Sequence, residues 1–240
     1  MMNETIPAAF AQAVRRDPTV PLLTWYDDAS GDRTELSGAT MDNWVSKTAN
    51  LLVDGAGLGQ GDTAAVLLPP HWQTAAILLG AWSAGLTAAP TAVPGPADVL
   101  FTSPAELASA ATWSAGDRYA TGLLPLAMPL RPLPDGYADY TIEVRGFGDR
   151  FVAPQPVTPS DHALGDITHA SLSGTASARA SSLGITPGTR VLVDATAHPD
   201  PLDWLLAPLF AGASIVLCAN LDPALVDKRA ASENVTLILH

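Results

Sequence analysis

The sequence predicts an α/β fold of two βαβ-containing lobes with parallel sheets. Three observations carry this. Strand, helix and strand follow one another with short loops at 64–89 and again at 190–218. Gly61 and Gly188 precede the first strand of each set, and Gly85 and Gly212 precede the second, both pairs 127 positions apart. The text before the second strands is also alike, Trp-Ser-Ala-Gly in one set and Leu-Phe-Ala-Gly in the other. Short loops between such segments imply parallel strands joined by right-handed crossovers.

The elements follow in order. Residues 8–16 predict a short helix. Segments 22–26 and 33–36 flank the turn-rich DDASG and predict a β-hairpin. Thr40 is placed to cap a helix whose residues Trp44, Val45, Thr48, Leu51 and Leu52 follow helical spacing, with Gly55, Gly57 and Gly59 ending it. A strand at 64–68 stops at Pro69-Pro70. A helix over 71–84 closes at Gly85, a residue suited to the left-handed end position, and a strand at 86–89 stops at Pro90. Residues 98–102 predict a strand and 104–112 a helix. The run PLAMPLRPLPDG at 125–136 is too proline-rich for either, and 140–145 and 150–153 are candidate edge strands. A helix over 168–182 ends at Gly184, and the turn ITPG leads into a strand at 190–194. A helix over 201–210 ends at Gly212, followed by a strand at 213–218 and a final strand at 234–239. The expected division is a first lobe at 1–124 that includes the hairpin, a proline-rich connection at 125–160, and a second, truncated lobe at 161–240.

Composition narrows the function. With 48% hydrophobic residues among 240, the chain has ample material for a core. A net charge of −12 argues against nucleic acid and anionic membrane surfaces, which attract Lys/Arg patches. The start MMNETIPAAF has neither the basic nor the apolar region of a signal peptide. The longest apolar stretch, 74–90, is broken by Gly80, Ser83 and Gly85 and is short for a membrane span. A cytoplasmic protein is expected. The single cysteine, Cys218, excludes an internal disulfide and sits in an apolar run that suits a buried side chain.

Few residues suggest chemistry. GAGLGQG at 55–61 follows a helix and opens a strand, the reverse of a dinucleotide loop. His71, His162, His169, His198 and His240 are scattered without metal-ligand spacing, so no metal site is expected. No G-x-S-x-G elbow supports a hydrolase. Asp194, Thr196, His198 and Asp200 lie just beyond the carboxyl end of a predicted parallel strand, where open α/β sheets bind ligands. They read either as the lining of a ligand pocket or as a solvated loop shaped by Pro199 and Pro201. The six tryptophans fall mostly in apolar contexts that suit core packing.

From 22 to 90 the order is hairpin, amphipathic helix, Gly61-Asp62 turn, strand, Pro-Pro, helix, Ala-Gly, strand and Pro. This resembles the N-terminal domain of the adenylate-forming superfamily of acyl-CoA synthetases, adenylation domains and luciferases. Thr168-His169, LGITPGTRVLV (183–193) and LAPLFAGASIVL (206–217) are similar to segments that follow the phosphate loop there. The resemblance implies a short actinobacterial branch, in keeping with the Ala/Gly/Pro-rich composition, and places His198 near a histidine or aromatic of the acyl pocket. In that superfamily a Ser/Thr/Gly-rich loop ending in Pro-Lys-Gly cradles the ATP phosphates. The corresponding place here reads HALGDI, between Asp161 and Thr168, with neither the cluster nor the lysine. Ser173-Gly174-Thr175 with Arg179 echoes such a loop but falls inside the expected helix. The superfamily's later elements, including its catalytic lysine, would lie past residue 240.

The implied function is a non-catalytic relative, a pseudoenzyme of the AMP-forming acyl and aryl ligases, that binds a small ligand or a partner protein and needs no cofactor. The alternative is a component of an ATP-dependent, AMP-forming acid–thiol ligase, using ATP or AMP with magnesium and completed by another chain. The final strand is also a candidate homodimer edge.

Overall fold

The computed structural model of the chain describes residues 4–89 and 94–240. Helix α1 (Ile6–Arg16) leads into the hairpin β1 (Pro21–Asp27) and β2 (Asp32–Ser37). Helix α2 (Gly38–Asn50), β3 (Thr63–Leu67), α3 (Trp72–Ser83) and β4 (Thr87–Ala88) follow. Strands β5 (Pro96–Thr102) and β6 (Ser114–Ala120) flank the short α4 (Leu107–Ala110), and β7 (Ala138–Asp139) runs into α5 (Tyr140–Glu143). A second hairpin, β8 (His162–Leu164) and β9 (Ile167–Thr168), precedes α6 (His169–Ser182). Strand β10 (Arg190–Asp194), α7 (Ala207–Ala211), β11 (Ser214–Ala219), α8 (Val226–Ser232) and β12 (Leu237–Leu239) complete the order. A π-helical turn at Leu51–Gly55 extends α2, and another at Leu202–Leu206 leads into α7.

Two compact units result. The first comprises Met1–Met41, Pro69–Ala75 and Ser171–His240; the second comprises Asp42–Leu68 and Ala76–Ala170. The first holds a five-stranded sheet in the order β12-β10-β11-β1-β2, and the second a seven-stranded sheet in the order β7-β6-β5-β3-β4-β8-β9. Strands β2 and β9 run antiparallel to their neighbours, and the remaining pairings are parallel. These units do not follow the sequential division 1–124, 125–160 and 161–240. The N-terminal hairpin joins the later βαβ set, with Leu23 opposite Ile215 and Asp27 opposite Ala219. The β8–β9 hairpin joins the earlier set, with Leu164 opposite Ala88. Parallel pairing lets each hairpin find its sheet far along the chain.

The repeated glycines mark a structural repeat. Gly61 N–H donates to Gly85 O at 3.2 Å, and Gly188 N–H donates to Gly212 O at 3.2 Å. Asp62 accepts from Gly59 N–H through Oδ2 at 2.8 Å, as Thr189 accepts from Thr186 N–H through Oγ1 at 3.1 Å. Gly85 and Gly212 have φ of 85° and 73°, the left-handed turn that lets the chain leave a helix and enter a strand at once. Strand registers repeat as well: Thr63 faces Thr87 as Arg190 faces Ser214.

Several local expectations change. Ser37, not Thr40, caps α2, because Thr40 N–H donates to Ser37 Oγ at 3.2 Å and Thr40 lies inside the helix. Segment 140–145 is helical rather than an edge strand. The Asp139 carboxylate accepts from Thr141 and Ile142 N–H at 2.9 and 3.3 Å, a cap that starts α5. Segment 150–153 forms no strand either. The expected helix over 104–112 is a 3-10 turn at Pro104–Glu106 followed by α4. The expected stop at Pro90 lies outside the described residues. The half-exposed strand β6 carries too many polar residues to signal itself, yet pairs with β5 from Ser114 to Ala120.

Candidate functional site

The HALGDI segment forms the β8–β9 hairpin. Leu164 faces Ile167, so only Gly165 and Asp166 make the turn. Gly165 has φ 52°, a conformation that glycine adopts without strain. Its N–H is already committed to Ala88 O at 3.0 Å. The next helix offers no more: His169 N–H donates to Asp161 O at 2.8 Å and Ala170 N–H to Pro159 O at 2.9 Å. A phosphate cradle needs several free backbone N–H groups pointing at one anion. Here the N–H groups of Gly165, His169 and Ala170 are committed within the chain, and the turn carries the Asp166 carboxylate. The echo at 173–179 lies within α6, as its helical context predicted. Arg179 is bound to Asp203.

The loop after β10 brings the predicted pocket residues onto one short segment. Asp194 Oδ1 accepts from Thr196 N–H at 2.8 Å, and Asp200 Oδ1 accepts from Leu202 N–H at 2.8 Å, starting the π-helical turn. Thr196 and Asp200 are exposed, while Asp194 and His198 are half-buried. His198 is tied down by two partners. Its N–H donates to Asp194 O at 3.0 Å, and its Nδ1 lies 2.9 Å from Asp203 Oδ2. Asp203 is the residue the sequence reading missed. Two hydrogen bonds from Arg179, at 2.6 and 2.7 Å, hold its carboxyl below the usual range, with His198 adding to the effect and burial opposing it. Its acidic side chain in the apolar run LDWLLAPL was the available signal.

A second polar cluster gathers around Glu233 at the same sheet. Glu233 accepts from Tyr26 Oη at 2.6 Å, Arg33 Nη2 at 2.9 Å and Arg190 Nη2 at 2.6 Å. Burial alone would raise its pKa, but these donors outweigh burial and hold the carboxyl at about 2. Arg229, itself buried, pairs with Asp28 and stacks 4.2 Å from the Tyr26 ring centroid. Beside it, Tyr26, Leu225, Lys228, Arg229 and Ser232 line an open cavity of about 220 Å³. Cys218 is buried, and burial pushes its thiol up to about 11, the state of a packing residue rather than a nucleophile.

Five tryptophans, at 25, 72, 82, 113 and 204, are buried in the core. Among the described residues no group of three or more His, Cys, Asp or Glu is placed to hold a metal ion. Among them, no helix is long and apolar enough to cross a membrane.

The fold is that of the N-terminal domain of adenylate-forming enzymes. The AMP-binding enzyme family matches residues 10–100. An acyl-CoA synthetase of Brucella canis superposes with a TM-score of 0.73 at 19% identity, over 96% of this chain and 46% of that one. The N-terminal domain of FACL13 from Mycobacterium tuberculosis superposes with a TM-score of 0.70 at 14% identity, over 98% of this chain and 62% of that one. The chain therefore spans about half to three-fifths of these solved structures, and at such identities they establish the fold alone. A TIGR03089 family protein of Mycobacterium tuberculosis (strain ATCC 25618 / H37Rv) is 40% identical over 98% of this chain and 100% of its own length. The chain belongs to that TIGR03089 family, and this actinobacterial relative agrees with the branch the sequence suggested.

Proposed function

We propose that the chain is a non-catalytic relative of the AMP-forming acyl and aryl ligases, a cytoplasmic protein that binds a small ligand at the carboxyl end of β10 or a partner protein. The carrying observation is the Gly165-Asp166 turn. It stands where the superfamily's phosphate loop would stand, with its glycine N–H committed to Ala88 and a carboxylate beside it. The scaffold around the turn is otherwise complete enough to superpose on acyl-CoA synthetases.

The test is calorimetric titration of the purified chain with ATP, AMP and an acyl-adenylate analogue, each with magnesium. No heat of nucleotide binding is the expected result. Tight ATP binding, or magnesium-ATP-dependent adenylation by the chain, overturns the proposal. Pyrophosphate exchange that appears only when a second chain is added would instead assign it to a ligase completed in trans.

A further inference from the structure

Arg179, Asp203 and His198 form a relay that neither βαβ topology nor the superfamily resemblance requires. The Asp203 carboxylate accepts from Arg179 Nε and Nη2 and faces His198 Nδ1 at 2.9 Å. A carboxylate can only accept, so Nδ1 carries the hydrogen. In the neutral ring, Nε2 then presents a lone pair. No hydrogen bond reaches that nitrogen among the described residues, and the side chain retains 16% exposure.

The other copy of the repeat supplies an internal control. His71 stands 127 positions before His198, and Ala76 stands 127 positions before Asp203. At His71, Nδ1 accepts from Gln73 N–H at 3.1 Å, so the ring has the opposite tautomer. That ring is 2% exposed and packs edge-on against Trp25, with centroids 4.3 Å apart. A histidine at this position therefore folds without an aspartate to orient it.

We propose that Asp203 and Arg179 are positioning residues that hold His198 with Nε2 facing a ligand that donates a hydrogen bond, such as an amine or an alcohol, rather than a carboxylate or phosphate. The inference rests on the reading of the β10 loop as a ligand site. The loop's charge favours the same ligand class. Asp194 and Asp200 each commit one oxygen to a backbone N–H, and both carboxylates add negative charge to this segment. An anion would meet the negative charge of the loop and a lone pair, whereas a donor finds an acceptor.

Histidine ring-nitrogen NMR on the full, uniformly labelled chain tests this with n-butylamine and butyrate as a size-matched pair. His198 is expected in the Nδ1–H form, with its Nε2 signal shifted by butylamine and at least tenfold less sensitive to butyrate. Asp203→Ala should mix the tautomers and weaken butylamine about tenfold, the scale at which outer residues tune a ligating histidine. Asp203→Glu should restore the tautomer, and Arg179→Gln should give an intermediate loss with Asp203 still present. An unchanged His71 signal certifies the fold of each variant. Butyrate binding as tightly as butylamine, no response to butylamine, or an Asp203→Ala variant identical to wild type would each overturn the proposal. ATP binding by the same sample would defeat the non-catalytic reading while leaving the His198 result standing.

Discussion

Residues 57–88 and 184–215 are two versions of one βαβ device, and they differ in the side chains they carry at the carboxyl end of the first strand. Both begin with left-handed glycines, Gly57 and Gly184, each with φ of 72°. Both close the same backbone hydrogen bonds between the turn and the second strand. The first copy is a packing element. Its helix α3 carries Gly80 where the second copy carries Ala207, and a Cβ at Gly80 would sit 2.6 Å from Thr48 Cβ. Its histidine is buried and its β3 ends in apolar residues. The second copy ends its strand in Asp194 and continues through a polar loop to Asp203. One backbone plan thus serves as core in one copy and as a candidate site in the other, because side chains at the carboxyl ends of the strands vary without disturbing the ladder.

The largest test of this comparison lies in the helices. Trp204, fully buried, stands 127 positions after Ile77, also fully buried. Truncating Trp204 to Ala should cost about 3–5 kcal/mol in urea unfolding, and Ile77→Ala about 2–5 kcal/mol. Similar losses mean both helices are anchored by the same position, and a neutral Trp204→Ala would break the equivalence. Next is Gly80→Ala, expected to cost about 1–3 kcal/mol through overpacking against Thr48, partly offset by about 1 kcal/mol of helix propensity. Its mirror, Ala207→Gly, should cost about 0.5–1 kcal/mol. Gly85→Ala and Gly212→Ala should each cost about 1–2 kcal/mol for forcing a left-handed backbone on alanine. Gly212 should be the worse of the two, because its Cβ would displace the Arg16 guanidinium that donates to Gly212 O.

The smallest effect is a pH dependence that separates the histidines. Burial lowers the His71 pKa to about 3, and burial, opposed by the Asp161 charge, lowers His169 to about 4. Unfolded histidine binds a proton near pH 6.5, so acidification favours the unfolded chain, and stability falls with pH from there downward. Each group should cost about 1 kcal/mol between pH 6.5 and 5.5. His71→Leu should therefore halve that slope, measured by urea unfolding at the two pH values. At lower pH Glu233 adds to the loss. Its stabilising contribution is present above its ordinary value of 4.5 and disappears as pH falls toward about 2.

Much of the fold was legible because the signals were local. Strand β10 and the glycines at 85, 184 and 212 stand where pattern and turn chemistry placed them. The connection 125–160 was not, because Asp139 turns a β-branched stretch into a helix by capping it. Helix α8 went unread in the sequence: DKRAASEN is dense in charge, and Arg229 and Glu233 within it are buried by pairing with Asp28, Arg33 and Arg190. Of the candidate site, the sequence singled out Asp194, Thr196, His198 and Asp200 by their position after a strand, missed Asp203, and read Arg179 only as part of a loop echo. Those two are 24 residues apart and meet through folding alone.

By itself, the sequence determined the elements of the two βαβ sets, the repeat and the absence of a phosphate-loop motif at HALGDI, because glycine conformations, helix periods and small-residue clusters are written in short windows. The tertiary structure decided which sheet each hairpin joins, which ends of the strands carry charge, and which nitrogen of His198 holds the hydrogen. Those outcomes depend on partners distant in the chain, and a strand edge, a carboxylate or an imidazole has no fixed partner until the fold brings one within hydrogen-bonding distance.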